Sequence, residues 1–362
     1  MRVRHHVAVP AATTFLQAWS EAATGSAGFW TTAAPTDHFR TASTLGPELA
    51  GALVRLLDQH PQIRRVVEVG AGDGRLLPQL RDAAGRSGRT LDVTGVDLRP
   101  RPAGLAADVG WVEDRWDVHR GAWVRGAVPE LVGGGAGPAL VLALEWLDDL
   151  PCRLARTVDG RWRELLADGR PGPALDAGST RWAERWWPGG PVVEVGLTRD
   201  AAWSALVAAL RVAGGLALAV DYGHLRAARP AGTVTAFAHG RRVEPVLRPD
   251  RDITAHVAVD ALAAAGELAG ARTLRLGRQR DLLAALEDDR TSDAADSGHR
   301  VADEAPRDHR GDGPGDGRGQ DALGELAARS RRAALRSPTG WGHHWWLLQE
   351  VAPGPGRTAV AP

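Results

Sequence analysis

The stretch RRVVEVGAGDGRLLPQL, residues 64–80, places Gly70, Gly72 and Gly74 at alternate positions directly after Glu68. A glycine loop that opens a helix lets backbone N–H groups approach a ligand closely, although a glycine-rich turn can also serve tight packing alone. Two features favour a ligand. The spacing is G-x-G-x-G, not the G-x-G-x-x-G that accommodates a pyrophosphate. Glu68 at the mouth of the loop would repel a diphosphate and suits a ligand bearing an ammonium and a sulfonium. S-adenosylmethionine (SAM) is such a ligand, and its carboxylate can still use the loop's N–H groups. Asp97 follows Gly74 by 23 residues and is placed to accept both hydroxyls of a ribose. In VGWVEDRWD, Glu113 or Asp114 offers an acceptor for an adenine amino group, with a solvated strand-end acid as the alternative.

These residues need a scaffold. Val66–Val69 reads as a strand and 75–84 as the helix after the glycine loop. LDVTGVDLRP is a second strand, ending at Asp97; GPALVLALEWLDDLP a buried strand ending near Glu145; GGLALAVDYGH another, ending near Asp221. Apolar strands alternating with helices predict an α/β fold. It is a doubly wound, mostly parallel sheet with its ligands beyond the strands' carboxyl ends. Residues 1–60 form a helical segment packed on the core, with Leu49, Leu53 and Leu56 on one helical face. The core spans 61–286 and is interrupted at 151–198 by an insertion, read as a lid or substrate platform, with a hairpin turning at Asp159-Gly160. Its tryptophans, Trp182, Trp186 and Trp187, serve either as a substrate wall or as core. Residues 287–320 mix charge with Gly and Pro and are expected to be disordered. Residues 321–362 supply a helix and the closing strand HHWWLLQEV.

Composition sets the outer bounds. The 362 residues carry a formal net charge of zero, so no bulk electrostatic footprint for nucleic acid exists. All 44 cationic side chains are arginine, a skew read as codon pressure, so arginine-rich stretches carry little weight. The single cysteine, Cys152, rules out an internal disulfide framework and a cysteine zinc site. His343-His344 is not read as a metal pair, because neighbours in a strand point to opposite faces. No run approaches the roughly 20 apolar residues of a membrane span. A cytoplasmic protein is the default expectation; a homodimer is left open.

The motifs EVGAGDGRL, VDLRPRP, LEWLDDLPC, AVDYGH and DRDITAHVAVDAL occur in this order over roughly 13–285. Together with GFWTTAAPTDHFRTAS near the N-terminus, they resemble class I SAM-dependent methyltransferases of the MidA type. These are bacterial relatives of the mitochondrial complex I assembly arginine methyltransferase. The resemblance implies a seven-stranded Rossmann-like sheet, SAM as methyl donor and, by analogy with the mitochondrial member, a protein arginine side chain as acceptor. A small-molecule acceptor, or a SAM-binding assembly factor that works by contact alone, are the competing readings. Leu144 stands where relatives often carry Asn, and Asp73 where they often carry Arg.

On the acceptor side, Glu145 and Asp148 stand three apart at and just after a strand end. Two such carboxylates grip a guanidinium through paired charge-assisted bonds and localise its lone pair. The alternative is that Asp148 caps a turn and Glu145 orders the loop. His256 in DITAHV is a candidate base. Asp221 and His224 in AVDYGH are candidate substrate contacts, each with a structural role as its alternative. His38 and Arg40 in DHFRT are placed to fold over the donor, Arg40 meeting its carboxylate.

Overall fold

The structure is a computed structural model; it describes residues 13–32, 47–296 and 317–354. The central sheet has seven strands: β1 (Arg65–Val69), β2 (Asp92–Asp97), β3 (Gly110–Glu113), β4 (Ala139–Leu144), β5 (Gly215–Asp221), β6 (Ala271–Arg278) and β7 (Trp345–Val351). Their order is β3-β2-β1-β4-β5-β7-β6. The first five pair in parallel, and β7 runs antiparallel between β5 and β6. The expected mostly parallel seven-stranded sheet is therefore present, with ends within a residue or two of those read from the apolar runs.

Because side chains alternate across a strand, each buried strand feeds two cores. Val66, Leu140, Leu142, Leu216 and Leu218 face one side, where they meet the helix Pro47–Asp58 and the helix after the glycine loop, Leu76–Arg86. Val67, Val69, Val141, Ala143, Ala217 and Ala219 face the other, against helices at Ala127–Gly133, Leu197–Leu210 and Val259–Leu268. Leu49, Leu53 and Leu56 are buried on the first face, as their spacing requires. Near the N-terminus the helix Phe15–Thr24 opens on a capping box between Thr14 and Gln17.

The insertion at 151–198 folds as an antiparallel sheet of Arg153–Val158, Arg161–Leu165, Pro171–Ala174 and Val192–Val195, plus the helix Ala177–Trp186. Its hairpin turns at Asp159 and Gly160, both at positive φ (49° and 70°), the geometry of a tight two-residue turn. Trp182 and Trp187 are buried among Ala155, Val193 and Val195, with Trp186 packed at the edge, so the three rings build the insertion's own core. A second insertion, between β5 and the helix Val259–Leu268, carries the small sheet Thr235–Ala238, Arg241–Val243 and Asp252–Thr254.

Of the stretch 287–320 expected to be disordered, residues 287–296 continue the helix Gln279–Asp296 and 317–320 open the helix Gly317–Arg336. The rest of 287–320 lies outside the described residues. The closing strand starts at Trp345; His343 ends a 3₁₀ turn before it, so the two adjacent histidines do not share the strand geometry expected of them. No helix among the described residues is long and apolar enough to cross a membrane.

Candidate active site

A cavity of about 940 Å³ lies beyond the carboxyl ends of β1, β2 and β4. This is where the strand order reverses between β1 and β4, the place at which such sheets bind ligands. The glycine loop forms one wall. Gly70, Gly72 and Gly74 all take positive φ (69°, 62° and 73°), which explains why glycine recurs at alternate positions. At Gly70 there is also no room, because a Cβ would stand 2.5 Å from Trp146 Cδ1.

Asp97 ties this loop to β2. Its Oδ2 accepts the Gly72 N–H (2.8 Å), and its Oδ1 accepts the backbone N–H and Nε–H of Arg99 (3.0 Å each). Glu68 is buried beside the loop, and its Oε2 accepts no hydrogen bond from the described residues. Burial, with the negative charges of Asp73 and Asp97 nearby, pushes the Glu68 carboxyl up to about 8. Of the two acids after β3, Asp114 is buried and lines the cavity, accepting N–H groups of Arg115, Arg125 and Ala127. Glu113 turns away to pair with Arg125 (3.4 Å) and is not in the lining. Trp116, Trp123 and Trp146 add an aromatic wall, with Trp123 stacked on Trp146 at 5.8 Å. His38 and Arg40 lie outside the described residues.

The other end of the cavity is acidic. Glu145, Asp148, Asp149 and Asp252 line it. Glu145 is held at φ 48°, a left-handed conformation costing a non-glycine residue roughly 1–3 kcal/mol, while its N–H donates to Val220 O (2.8 Å). Asp148 is buried; desolvation raises it to about 6 against the pull of Arg199 and a hydrogen bond with Asp221. Asp149 shares a hydrogen bond with Asp252, and burial holds both well above the ordinary carboxylate range.

Asp221 and His224 sit behind this wall and are absent from the lining. Asp221 Oδ2 accepts the N–H groups of Leu147 (2.9 Å) and Asp148 (3.3 Å), so it shapes the loop that carries Glu145 and Asp148. His224 is buried edge-on against Trp187 at 5.1 Å. Asp221 and His224, expected as substrate contacts, thus stand behind the lining, while Tyr222 between them is part of it. His256 does line the cavity, stacked 6.2 Å from Tyr222, and burial lowers it to about 4.

The cover over the acidic end differs from the expected one. Pro230, Thr233, Phe237, Arg242, Thr254 and other residues of the second insertion line the cavity, and none of 152–198 does. The first insertion acts at one remove. Its buried Glu194 accepts the backbone N–H of Thr233 (2.6 Å) and the Thr233 hydroxyl, whose oxygen accepts the His256 N–H (2.8 Å). On the other side Arg199, itself buried, donates to the carbonyls of His256 (3.0 Å), Asp148 (2.9 Å) and Leu150 (3.0 Å). One guanidinium thereby ties the β4 loop to the second insertion. Cys152 is fully buried, its thiol pushed up to about 12, and takes no part. Among the described residues no group of three His, Cys, Asp or Glu side chains is arranged to hold a metal ion.

The sheet order and a glycine loop at its switch point define the class I methyltransferase architecture. Residues 49–277 match the family described as "Putative S-adenosyl-L-methionine-dependent methyltransferase", and the chain belongs to that family. Two crystal structures from Burkholderia thailandensis share the fold. One, bound to S-adenosyl-homocysteine, is 23% identical with a TM-score of 0.68, covering 95% of this chain and 89% of that one. The other, a native structure, is 24% identical with a TM-score of 0.68, covering 95% and 88%. Comparison with curated proteins gives no match. The MidA-type resemblance and the choice of SAM over a dinucleotide are borne out. The residues also fit SAM chemically, since an unpartnered buried Glu68 oxygen beside a glycine cradle suits a cation.

Proposed function

We propose that the protein transfers a methyl group from SAM to the guanidinium of an arginine side chain in a protein. The observation that carries this reading is the set of four carboxyl groups, Glu145, Asp148, Asp149 and Asp252, gathered at the end of the cavity away from the glycine loop. A guanidinium presents five donors in a planar fork and satisfies several carboxylates at once. Its arrival lowers the cost of ionising acids that burial otherwise keeps protonated.

In this reading Glu68, Gly70, Gly72, Gly74, Asp97 and Asp114 hold the donor. Glu68 meets its cationic end, Asp97 its ribose and Asp114 its adenine. SAM supplies an electrophilic methyl on a sulfonium. Glu145 and Asp148 hold the guanidinium in line with that methyl, which turns a bimolecular encounter into a positioned one. Glu145 takes the proton that the nitrogen loses. Asp221 and Arg199 keep the Glu145–Asp148 loop in shape, and His256 closes the wall as a neutral ring. Leu144 adds an apolar edge that excludes water.

The test is tritiated methyl transfer from SAM into an undialysed bacterial lysate, split afterwards into protein and small-molecule fractions. Label in the protein fraction that survives hydrolysis as methylarginine is the expected outcome. Label confined to small molecules would replace the acceptor, and label in neither would leave only binding.

A further inference from the structure

His344 is a buried histidine that the reading above does not use. It precedes β7, is fully buried, and its Nδ1 lies 2.7 Å from Trp341 O. A carbonyl only accepts, so Nδ1 carries the proton and Nε2 is left with a bare lone pair. Among the described residues that Nε2 has no hydrogen-bond partner, and it faces Glu145, with Oε2 3.9 Å away. A bare lone pair without a partner in the interior is costly, so its placement against one carboxyl group calls for a reason.

We propose that His344 is the proton-accepting and positioning partner of Glu145, its Nε2 taking up the proton that Glu145 receives from the methylated nitrogen. This rests on the reading of Glu145 as the base. In the transfer, the acceptor nitrogen forms a bond to the methyl carbon as the carbon–sulfur bond breaks, its electron pair staying on sulfur. The nitrogen then releases one N–H proton to the Glu145 carboxylate. The carboxylic acid passes it to Nε2, giving an imidazolium whose Nδ1–H still rests on Trp341 O. The methylguanidinium leaves with its single positive charge, so charge and protons balance. A movement of Glu145 of under about 1 Å brings the pair into hydrogen-bond range, a tightening common when substrate binds.

The surroundings set how long the proton stays. Glu145 faces His344 from the end of β4, Tyr222 from the end of β5 (ring centroids 4.1 Å apart), and His256 from the second insertion. Arg278 adds positive charge from β6, and His343, itself lowered by burial and Arg278, adjoins from the preceding turn. Burial disfavours charge on His344, so the imidazolium is short-lived and the proton moves on to solvent.

The experiment compares wild type, His344→Gln and Glu145→Gln, with the protein fraction of a dialysed lysate as acceptor. Rates are taken in H₂O and D₂O, SAM affinity by calorimetry and folding by thermal melt. His344→Gln is expected to keep SAM affinity, to lose at least about 10-fold in rate, and to show a solvent isotope effect that wild type lacks, because proton removal has become limiting. A folded His344→Gln protein with wild-type rate and isotope effect overturns the proposal. Should that variant melt too low to assay, ¹⁵N NMR of histidine-labelled wild type decides it. A bare Nε2 on His344 supports the relay; a proton on Nε2 ends it. Full activity in Glu145→Gln would instead overturn the reading of Glu145, and is distinguished by that variant alone.

Discussion

The two ends of the cavity are built from different materials. At the proposed donor end, the lining comes from one continuous stretch and two strand tips: the glycine loop, Asp97 and Asp114. Backbone geometry does most of the shaping, through three positive-φ glycines and a carboxylate that accepts the loop's own N–H. At the acceptor end, the groups converge from β4, the loop after β5 and the second insertion. They are held by side-chain ties: Asp221 under the β4 loop, Arg199 across to His256, and Glu194 through Thr233. A site made of backbone tolerates surface change and fails at a glycine. A site made of side-chain ties fails in steps, one tie at a time.

The largest effect is expected from Glu145→Gln. It should leave SAM affinity within a few-fold by calorimetry and cut methyl transfer by at least about 100-fold, the scale of losing a general base. Gly70→Ala breaks the donor end. It forces a Cβ into the left-handed region and against Trp146, costing on the order of 1–3 kcal/mol in strain alone. A lower melting temperature and a weaker SAM titration are the readouts, with acceptor KM little changed in whatever activity survives. Thr233→Val is gentler. It leaves Glu194 without a hydroxyl partner and His256 N–H without an acceptor, costing about 1–3 kcal/mol per unmet buried group. Acceptor KM should rise while SAM affinity stays put, the mirror image of Gly70→Ala.

A pH series probes both ends together. Carboxyls that ordinarily titrate near 4 keep their protons in the fold up to about 6 at Asp148, about 7 at Asp200, buried against Trp182 Nε1, and about 8 at Glu68. The unfolded chain sheds those protons first and so binds fewer of them across this range. Stability therefore falls as pH rises from about 4 to about 8. The protein is expected to melt several degrees lower at pH 8 than at pH 5, with SAM recovering part of the loss by stabilising the Glu68 carboxylate.

The same contrast explains what was legible in the sequence. The donor end was, because its groups sit at fixed offsets from a glycine loop and because β-branched runs mark the strands that end beside them. Glu145 and Asp148 were visible for the same reason, at the end of the apolar run 139–144. Asp252, Arg199, Glu194 and Thr233 were not. Each depends on a tertiary meeting that no local period encodes. The contribution of 230–242 to the cavity lining was missed because 151–198 is aromatic and interrupts the βα pattern, whereas 230–250 carries no motif. His344 was set aside on strand alternation, although the chain enters β7 one residue later, and its partner, Glu145, lies 199 residues earlier.

The measurement that tests the central claim most directly counts protons released when SAM binds. The claim is that a buried, partnerless carboxyl at the glycine loop selects a cationic donor. Calorimetric titrations at pH 7 in two buffers of different ionisation enthalpy give that count. Close to one proton released by wild type, and none by Glu68→Gln, is the expected result. Equal heats in both buffers for wild type, with affinity unchanged in Glu68→Gln, would contradict it.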